Sequence, residues 1–163
     1  MAQGLVNISY IVFTKNHKKK RLMSYITVYV HYVWSTKNGY PFLQDDIRYQ
    51  VFDHILDNAK EKDIYIDELN GYDDHIHCLV SMGPDKSLEK IANLIKGESS
   101  HWVNQNKLTK KKFAWQSDYW VASVGKSEIN RVRKYIRNQE KHHQKKSFEE
   151  ENEALLKEFS FIT

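Results

Sequence analysis

Two histidines, His75 and His77, flank Ile76 in the stretch GYDDHIHCLV, residues 71–80. On a strand, side chains alternate by face with a period of two, so both imidazoles point one way and Ile76 the other. Two imidazoles side by side are poor core material, because each brings ring nitrogens that must be satisfied. They are good ligands for a divalent metal ion, with coordination positions left for a substrate. A pair of strand histidines bonded to neighbouring groups fits the spacing too. Ligands in use need access, so an opening in the fold is expected beside the pair. Rings that diverge, or that are sealed from solvent, would end the metal reading.

A second candidate lies in NRVRKYIRNQEKHH, residues 130–143. Tyr135 and Gln139 are four apart, one turn from each other on a helix, at the margin of the stripe Ile129, Val132 and Ile136. Arg131, Arg133, Lys134, Arg137 and Lys141 surround them. A tyrosine among cations can attack a phosphodiester, because neighbouring positive charge favours the phenolate. Its unperturbed pKa of about 10 makes that help necessary. An amphipathic tyrosine on a basic, solvated helix has the same pattern.

The elements that must position these residues follow from periodicity. Residues 24–35, SYITVYVHYVWS, are β-branched and aromatic and read as a strand buried on both faces. Gly39 and Pro41 break it. Ile47, Val51, Ile55, Leu56 and Ala59 recur at helical spacing and predict a helix over 45–61. IYIDELNG is a second strand ending in the turn signal Asn70-Gly71, and HIHCLVSM a third, antiparallel to it. Gly83-Pro84 stops that strand, and Ser87 caps a helix carrying Leu88, Ile91, Leu94, Ile95 and Trp102. Residues 110–125 give a strand region. Ser127 caps the helix with Tyr135, and a more polar helical tail runs around 148–159. The order β-α-β-β-α-β-α begins with the split β-α-β, or ferredoxin-like, arrangement: an α+β fold with an antiparallel sheet and two helices on one face. The last helix can lie on the open face. The fold alone proves no function.

With 163 residues the chain suits one domain, and 40% hydrophobic, 13% aromatic and 28% charged residues mark it as globular. The net charge of +4 permits nucleic-acid binding without arguing for it. One cysteine, Cys78, builds no disulfide framework and is read as a reducing cytosol. No apolar run approaches the roughly 20 residues of a membrane helix. The apolar start GLVNISYIVF precedes the basic KNHKKKR, the reverse of a secretory signal. Residues 1–22 are read as an upstream extension, with the domain at 23–163. A basic arm on phosphate backbone is the functional alternative.

DDHIHCLVSM, followed some sixty positions later by VRKYIRNQEKHHQKKSF, resembles the HUH single-tyrosine transposases of small bacterial insertion sequences. YVHYVWSTKNGYPFL and LIKGESSHWVNQ resemble further blocks of that family in the same order. The likeness runs from Met23 to about Phe159. It departs at DYWVAS, where Asp118 and Trp120 stand in place of expected small residues, and at the carboxyl end FSFIT, which reads as short for the family. The resemblance implies that His75 and His77 bind a divalent metal, Mg²⁺ or Mn²⁺. It makes Gln139 the third ligand and Tyr135 the nucleophile. It also implies single-stranded DNA hairpins as substrate, a 5′-phosphotyrosine intermediate, and a homodimer in which the tyrosine helix of one subunit serves the histidines of the other. Gly125 in SVGKSE would let that helix swing out. Lys96, Ser99, Ser100, Arg131 and Lys134 are weaker candidates for DNA contact, with Lys110, Lys111 and Lys112 adding attraction. Trp34, Trp102, Trp115 and Trp120 could stack bases, but suit a core as well. The rival readings are a replication initiator or relaxase of the same chemistry, which usually needs more domains, and a non-catalytic ferredoxin-like nucleic-acid-binding module. The latter needs aromatics exposed on its central strands.

Overall fold

The computed structural model describes residues 26–143 and 147–158; the amino-terminal extension lies outside them. Four strands, β1 (Tyr29–Ser35), β2 (Tyr65–Gly71), β3 (His75–Ser81) and β4 (Trp120–Val124), form one sheet in the order β2-β3-β1-β4. All three neighbouring pairs are antiparallel, which is the split β-α-β arrangement. The helices are α1 (Asp45–Glu61), α2 (Leu88–Gln105), α3 (Ile129–Arg137), α4 (Gln139–His143) and α5 (Phe148–Glu158). No helix among the described residues is long and apolar enough to cross a membrane.

Period-two alternation decides what each sheet face carries. Val30, Tyr32 and Trp34 of β1 and Ile76, Cys78 and Val80 of β3 share a core cluster with Val51, Phe52, Ile55 and Ala59 of α1 and Ile91, Ala92, Ile95 and Val103 of α2. In α1, Phe52 joins the buried stripe and Leu56 faces solvent. Ser87 caps α2 as expected, its side chain accepting the Lys90 N–H at 3.1 Å. Burying roughly 25 cal/mol of apolar free energy per Å² makes this face the main source of stability. The opposite face carries His31, Val33, His75, His77 and Leu79, all buried, and is covered by α3, which packs on β2 and β3.

Three local expectations change. The last strand is short, because residues 110–119 form an irregular crossing, tied to the first turn by the isolated Thr36–Trp115 bridge. Ser127 does not cap α3; the N-cap is Glu128, without a side-chain bond. Instead the Glu128 N–H closes a turn on Gly125 O at 2.8 Å. Gly125 also makes no use of its freedom. It has no positive φ, and a Cβ there would meet nothing within 4 Å. Through this ordinary turn α3 folds back on its own sheet. Arg133 holds Asp67 with two bonds, Nε–Oδ2 2.6 Å and Nη2–Oδ1 3.1 Å, and Arg137 holds Glu68, both on β2.

Candidate active site

The turn that delivers the histidines is fixed from three sides. The Thr36 N–H donates to Asp74 O at 2.7 Å, and the Leu43 N–H to Asp73 O at 2.8 Å. Buried Arg48 of α1 reaches Asp73 Oδ1 at 3.1 Å. Gly71 is required by close approach: a Cβ there would lie 2.2 Å from His75 O and 2.8 Å from Ile76 Cα.

The two rings take their orientation from different partners. His75 Nδ1 lies 2.7 Å from Asp74 Oδ1, so it carries the proton and leaves Nε2 with a free lone pair. His77 Nδ1 lies 3.1 Å from His31 Nε2, with the rings stacked at 5.2 Å. A proton on His77 Nδ1, donated to His31, frees His77 Nε2 in the same way. Burial, reinforced by the neighbouring histidines His75, His143 and His142, holds His77 well below the usual imidazole range; burial and His77 do the same to His31. His77 is thus held toward the neutral, ligating form.

The rings do not diverge, but the expected opening is absent and the pair is sealed, the outcome that was expected to end the metal reading: His75 and His77 are each 0% exposed. The cover comes from α4 and α5. The Phe148 ring stacks on His75 at 4.3 Å. Glu151 Oε2 sits 2.9 Å from His143 Nε2, 3.4 Å from His77 Nε2 and 3.8 Å from His75 Nε2. Gln139 Nε2 donates to Glu151 Oε1 at 3.3 Å. An apolar lid would be dry and satisfied; this one leaves His75 Nε2, His77 Nε2 and Gln139 Oε1 buried with no hydrogen-bond partner. Such orphaned atoms need an explanation, and a bound cation supplies one. The ligand atoms of His75, His77, His143 and Glu151 all lie within 4.8 Å of one another. Burial pushes the Glu151 carboxyl up to about 7, with His75 pulling the other way and Asp74 adding to the rise.

Tyr135 and Gln139 stand on successive short helices rather than one, because α3 ends at Asn138 (φ −99°, ψ 14°). The break still leaves both at the site. Asn70 of β2 donates to Arg137 O at 3.2 Å, and the Tyr49 hydroxyl donates to Glu140 at 2.9 Å, which pins the junction. Gln139 is fully buried. The Tyr135 ring, half-buried, stands edge-on to His77 at 5.6 Å and His142 at 5.6 Å. The cations around it are largely engaged: Arg133 and Arg137 on β2, and Arg131 on Glu128 at 2.5 Å. Lys134 is exposed. The polar rings nearest the phenol belong to histidines.

The other expected contacts lie apart. Ser99 is fully buried among α1 and α2; its hydroxyl donates to Ile95 O at 2.6 Å and accepts from Trp115 Nε1 at 2.9 Å. It therefore cannot hold a phosphate. Lys96 is engaged by Ser117 O at 2.7 Å and Asp118 O at 3.3 Å, fixing the crossing into β4, and Ser100 donates to Gly97 O at 3.0 Å. All three stand across the sheet from the histidines. Lys111 lies over the Tyr40 ring at 4.4 Å, while Lys110 and Lys112 are exposed. Trp34 and Trp115 are core and Trp102 stacks on His54 at 4.1 Å. Trp120 meets His31 edge-on at 5.3 Å.

Sequence reasoning missed His31, Asp74, His143, Phe148 and Glu151. His143 was within reach, since it follows Gln139 by four and so shares its helix face. His31 is a lone polar residue in an apolar strand. Glu151 carried no signal, being one acid in SFEEENE.

The family model "Transposase IS200 like" matches residues 24–139. Among characterised proteins, the ISDra2 transposase TnpA of Deinococcus radiodurans is 23% identical over 137 residues, covering 81% of this chain and 97% of that protein. A crystal structure described as a candidate transposase from Deinococcus radiodurans aligns with a TM-score of 0.59 at 23% identity, covering 76% of this chain and 98% of the other. A REP-associated tyrosine transposase bound to a REP hairpin aligns with a TM-score of 0.58 at 17% identity, over 78% of this chain and 74% of the other. With the ferredoxin-like sheet, the histidine pair and the tyrosine helix all in the order that the match covers, the chain belongs to the IS200-like, single-tyrosine transposase family.

Proposed function

We propose that this protein cleaves and rejoins single-stranded DNA at hairpin-bearing ends, with Tyr135 as nucleophile and a divalent metal held by His75, His77 and Gln139. The observation that carries the reading is that three buried polar atoms, His75 Nε2, His77 Nε2 and Gln139 Oε1, lack partners, with the Tyr135 ring 5.6 Å from the His77 ring. A divalent ion bound there would polarise a non-bridging oxygen of the scissile phosphate. Asp74 and His31 hold the two imidazoles with their lone pairs forward. The Tyr135 oxygen attacks phosphorus; the phosphorus–O3′ bond breaks as the phosphotyrosine bond forms, and the released 3′ oxygen takes up a proton. A second 3′-hydroxyl reverses the exchange and reseals the strand. One ester replaces another at each step, so no nucleotide cofactor is required. Exposed Lys134 and Arg131, on the nucleophile's own helix, suit backbone contacts. A hairpin is the substrate class of choice because the REP-associated relative is bound to one.

A base-stacking module without catalysis is disfavoured, since the inner residues of β1 and β3 are buried on both faces. A homodimer with shared sites would use these same residues, but in the single chain Tyr135 meets His77 in cis, held by Arg133 and Arg137. Mixing Tyr135→Phe with His75→Ala tests the arrangement: cleavage regained after subunit exchange requires sharing, and its absence leaves catalysis in cis. The primary test is incubation of the protein with hairpin-bearing single-stranded DNA and Mg²⁺ or Mn²⁺. A covalent protein–DNA adduct at Tyr135 is expected. Cleavage without an adduct, or an adduct at Tyr119, would refute the assignment.

A further inference from the structure

We infer that His143 and Glu151, from the carboxyl-terminal helices, are ligands of the same metal ion as His75 and His77, and that they make the centre one for a transition-metal ion rather than Mg²⁺. The inference rests on the metal reading above and extends it to residues outside the histidine pair, the tyrosine and Gln139. Glu151 is 4% exposed, and its described ion-pair partners are all histidines: His75, His77, His142 and His143. A carboxyl group sealed among imidazoles is costly to ionise unless a charge of opposite sign joins it.

The shell around it consists largely of acceptors. His75 Nε2 has a lone pair because its proton goes to Asp74, and His77 Nε2 has one when its proton goes to His31. Neither donates to Glu151, at 3.8 and 3.4 Å, and both remain unpartnered. Gln139 turns its NH₂ to Glu151, which leaves Oε1 as a further unpartnered acceptor. Lone pairs and a carboxylate that converge without bonding one another are stabilised by a cation among them. His143 Nε2, 2.9 Å from Glu151 Oε2, completes a group of three imidazoles and one carboxylate within 4.8 Å. Imidazole-rich sets suit later transition metals such as Co²⁺ and Zn²⁺ better than Mg²⁺, which prefers oxygen, and Mn²⁺ lies between them in affinity.

The test uses the full chain, stripped with chelator and free of DNA, so that metal binding is read without activity. Mn²⁺ uptake is followed by electron paramagnetic resonance and Co²⁺ uptake by visible absorption. The proteins are wild type, Glu151→Gln, His143→Ala and His75→Ala, with folding checked by circular dichroism. Glu151→Gln and His143→Ala are each expected to weaken Mn²⁺ binding by about 10- to 100-fold and to change the Co²⁺ spectrum, while Mg²⁺ displaces Co²⁺ from wild type only in large excess. Wild-type Mn²⁺ affinity and an unchanged Co²⁺ spectrum in Glu151→Gln would overturn the inference, and would make the carboxylate a plug. If that variant fails to fold, His143→Ala carries the same decision. Competition by Mg²⁺ at parity would refute the metal preference. Wild type that takes up no metal, or His75→Ala that binds as wild type does, would instead sink the metal reading itself.

Discussion

The two faces of the sheet are both buried, yet they are built on opposite terms. Toward α1 and α2 the strands present Tyr32, Trp34, Ile76, Cys78 and Val80, and the polar groups there are mostly paired, as Ser99 is with Ile95 O and Trp115 Nε1, with the Trp34 Nε1 donor left over. Toward α3 and α5 they present His31, His75 and His77, and here three buried acceptors are left over. The alternation of single residues along β3 separates the two regimes. Stability is concentrated on one side and unsatisfied chemistry on the other. Burial alone therefore does not tell a core from a site; the partner list does.

Substitutions on each face should break this contrast in predictable ways. The largest effect belongs to Tyr135→Phe, which is expected to remove the covalent adduct altogether while leaving hairpin binding and the melting temperature near wild type; gel analysis of the adduct alongside a binding titration checks both. His77→Ala should abolish metal-dependent cleavage and with it the metal-induced rise in melting temperature. In wild type that rise reflects about 2.7 kcal/mol when free metal is 100 times its dissociation constant. The neighbouring Ile76→Ala, on the apolar face, should cost about 2–5 kcal/mol in denaturant unfolding with metal affinity retained. If these two variants showed the same pattern, the division of labour between the faces would collapse. Gly71→Ala forces a Cβ against the His75 carbonyl and should destabilise the domain by about 1–3 kcal/mol, with weaker metal binding because His75 moves. Ser99→Ala should cost about 1–3 kcal/mol by orphaning Trp115 Nε1 and leave adduct formation intact; a DNA-binding defect would restore the phosphate role that its burial denies it. The smallest effect is expected from Arg133→Ala: about 1 kcal/mol or less, since the pair with Asp67 is partly solvated, but with slower cleavage in high salt as α3 loosens from β2.

How much of this was legible in the residues depends on the length scale of the signal. Helix α1 over 45–61, the Ser87 cap and the antiparallel pairing of β2 with β3 follow from patterns local to each segment, and the structure keeps them, although Asn70 and Gly71 pair with His77 and Ile76 inside the ladder and the turn falls at 72–74. The period-two argument for His75 and His77 is equally local, so the shared face was readable. The failures are those of long range. The pair was expected at an opening because nothing in HIHC announces a cover brought from α5. Ser99 looked like a surface hydroxyl until α2's buried stripe and Trp115 enclosed it. Gly125 takes an ordinary turn, and within the single chain Arg133 and Arg137 find Asp67 and Glu68 more than sixty residues earlier, so the exchange of this helix between subunits is left to the mixing experiment. His31 and Glu151 matter only through where the fold puts them.

The site's residues are strung along the chain in a particular order. The sheet, its apolar core and both strand histidines are encoded by the end of β4, whereas Tyr135, Gln139, His143 and Glu151 all come after it. A chain emerging from synthesis can thus bury its apolar face and adopt its strand pairing while the chemical face is still bare. On the proposed assignment the order of synthesis would act as a safety catch: the framework exists first, and the residues assigned to strand cleavage would come together only once the final helices have been made.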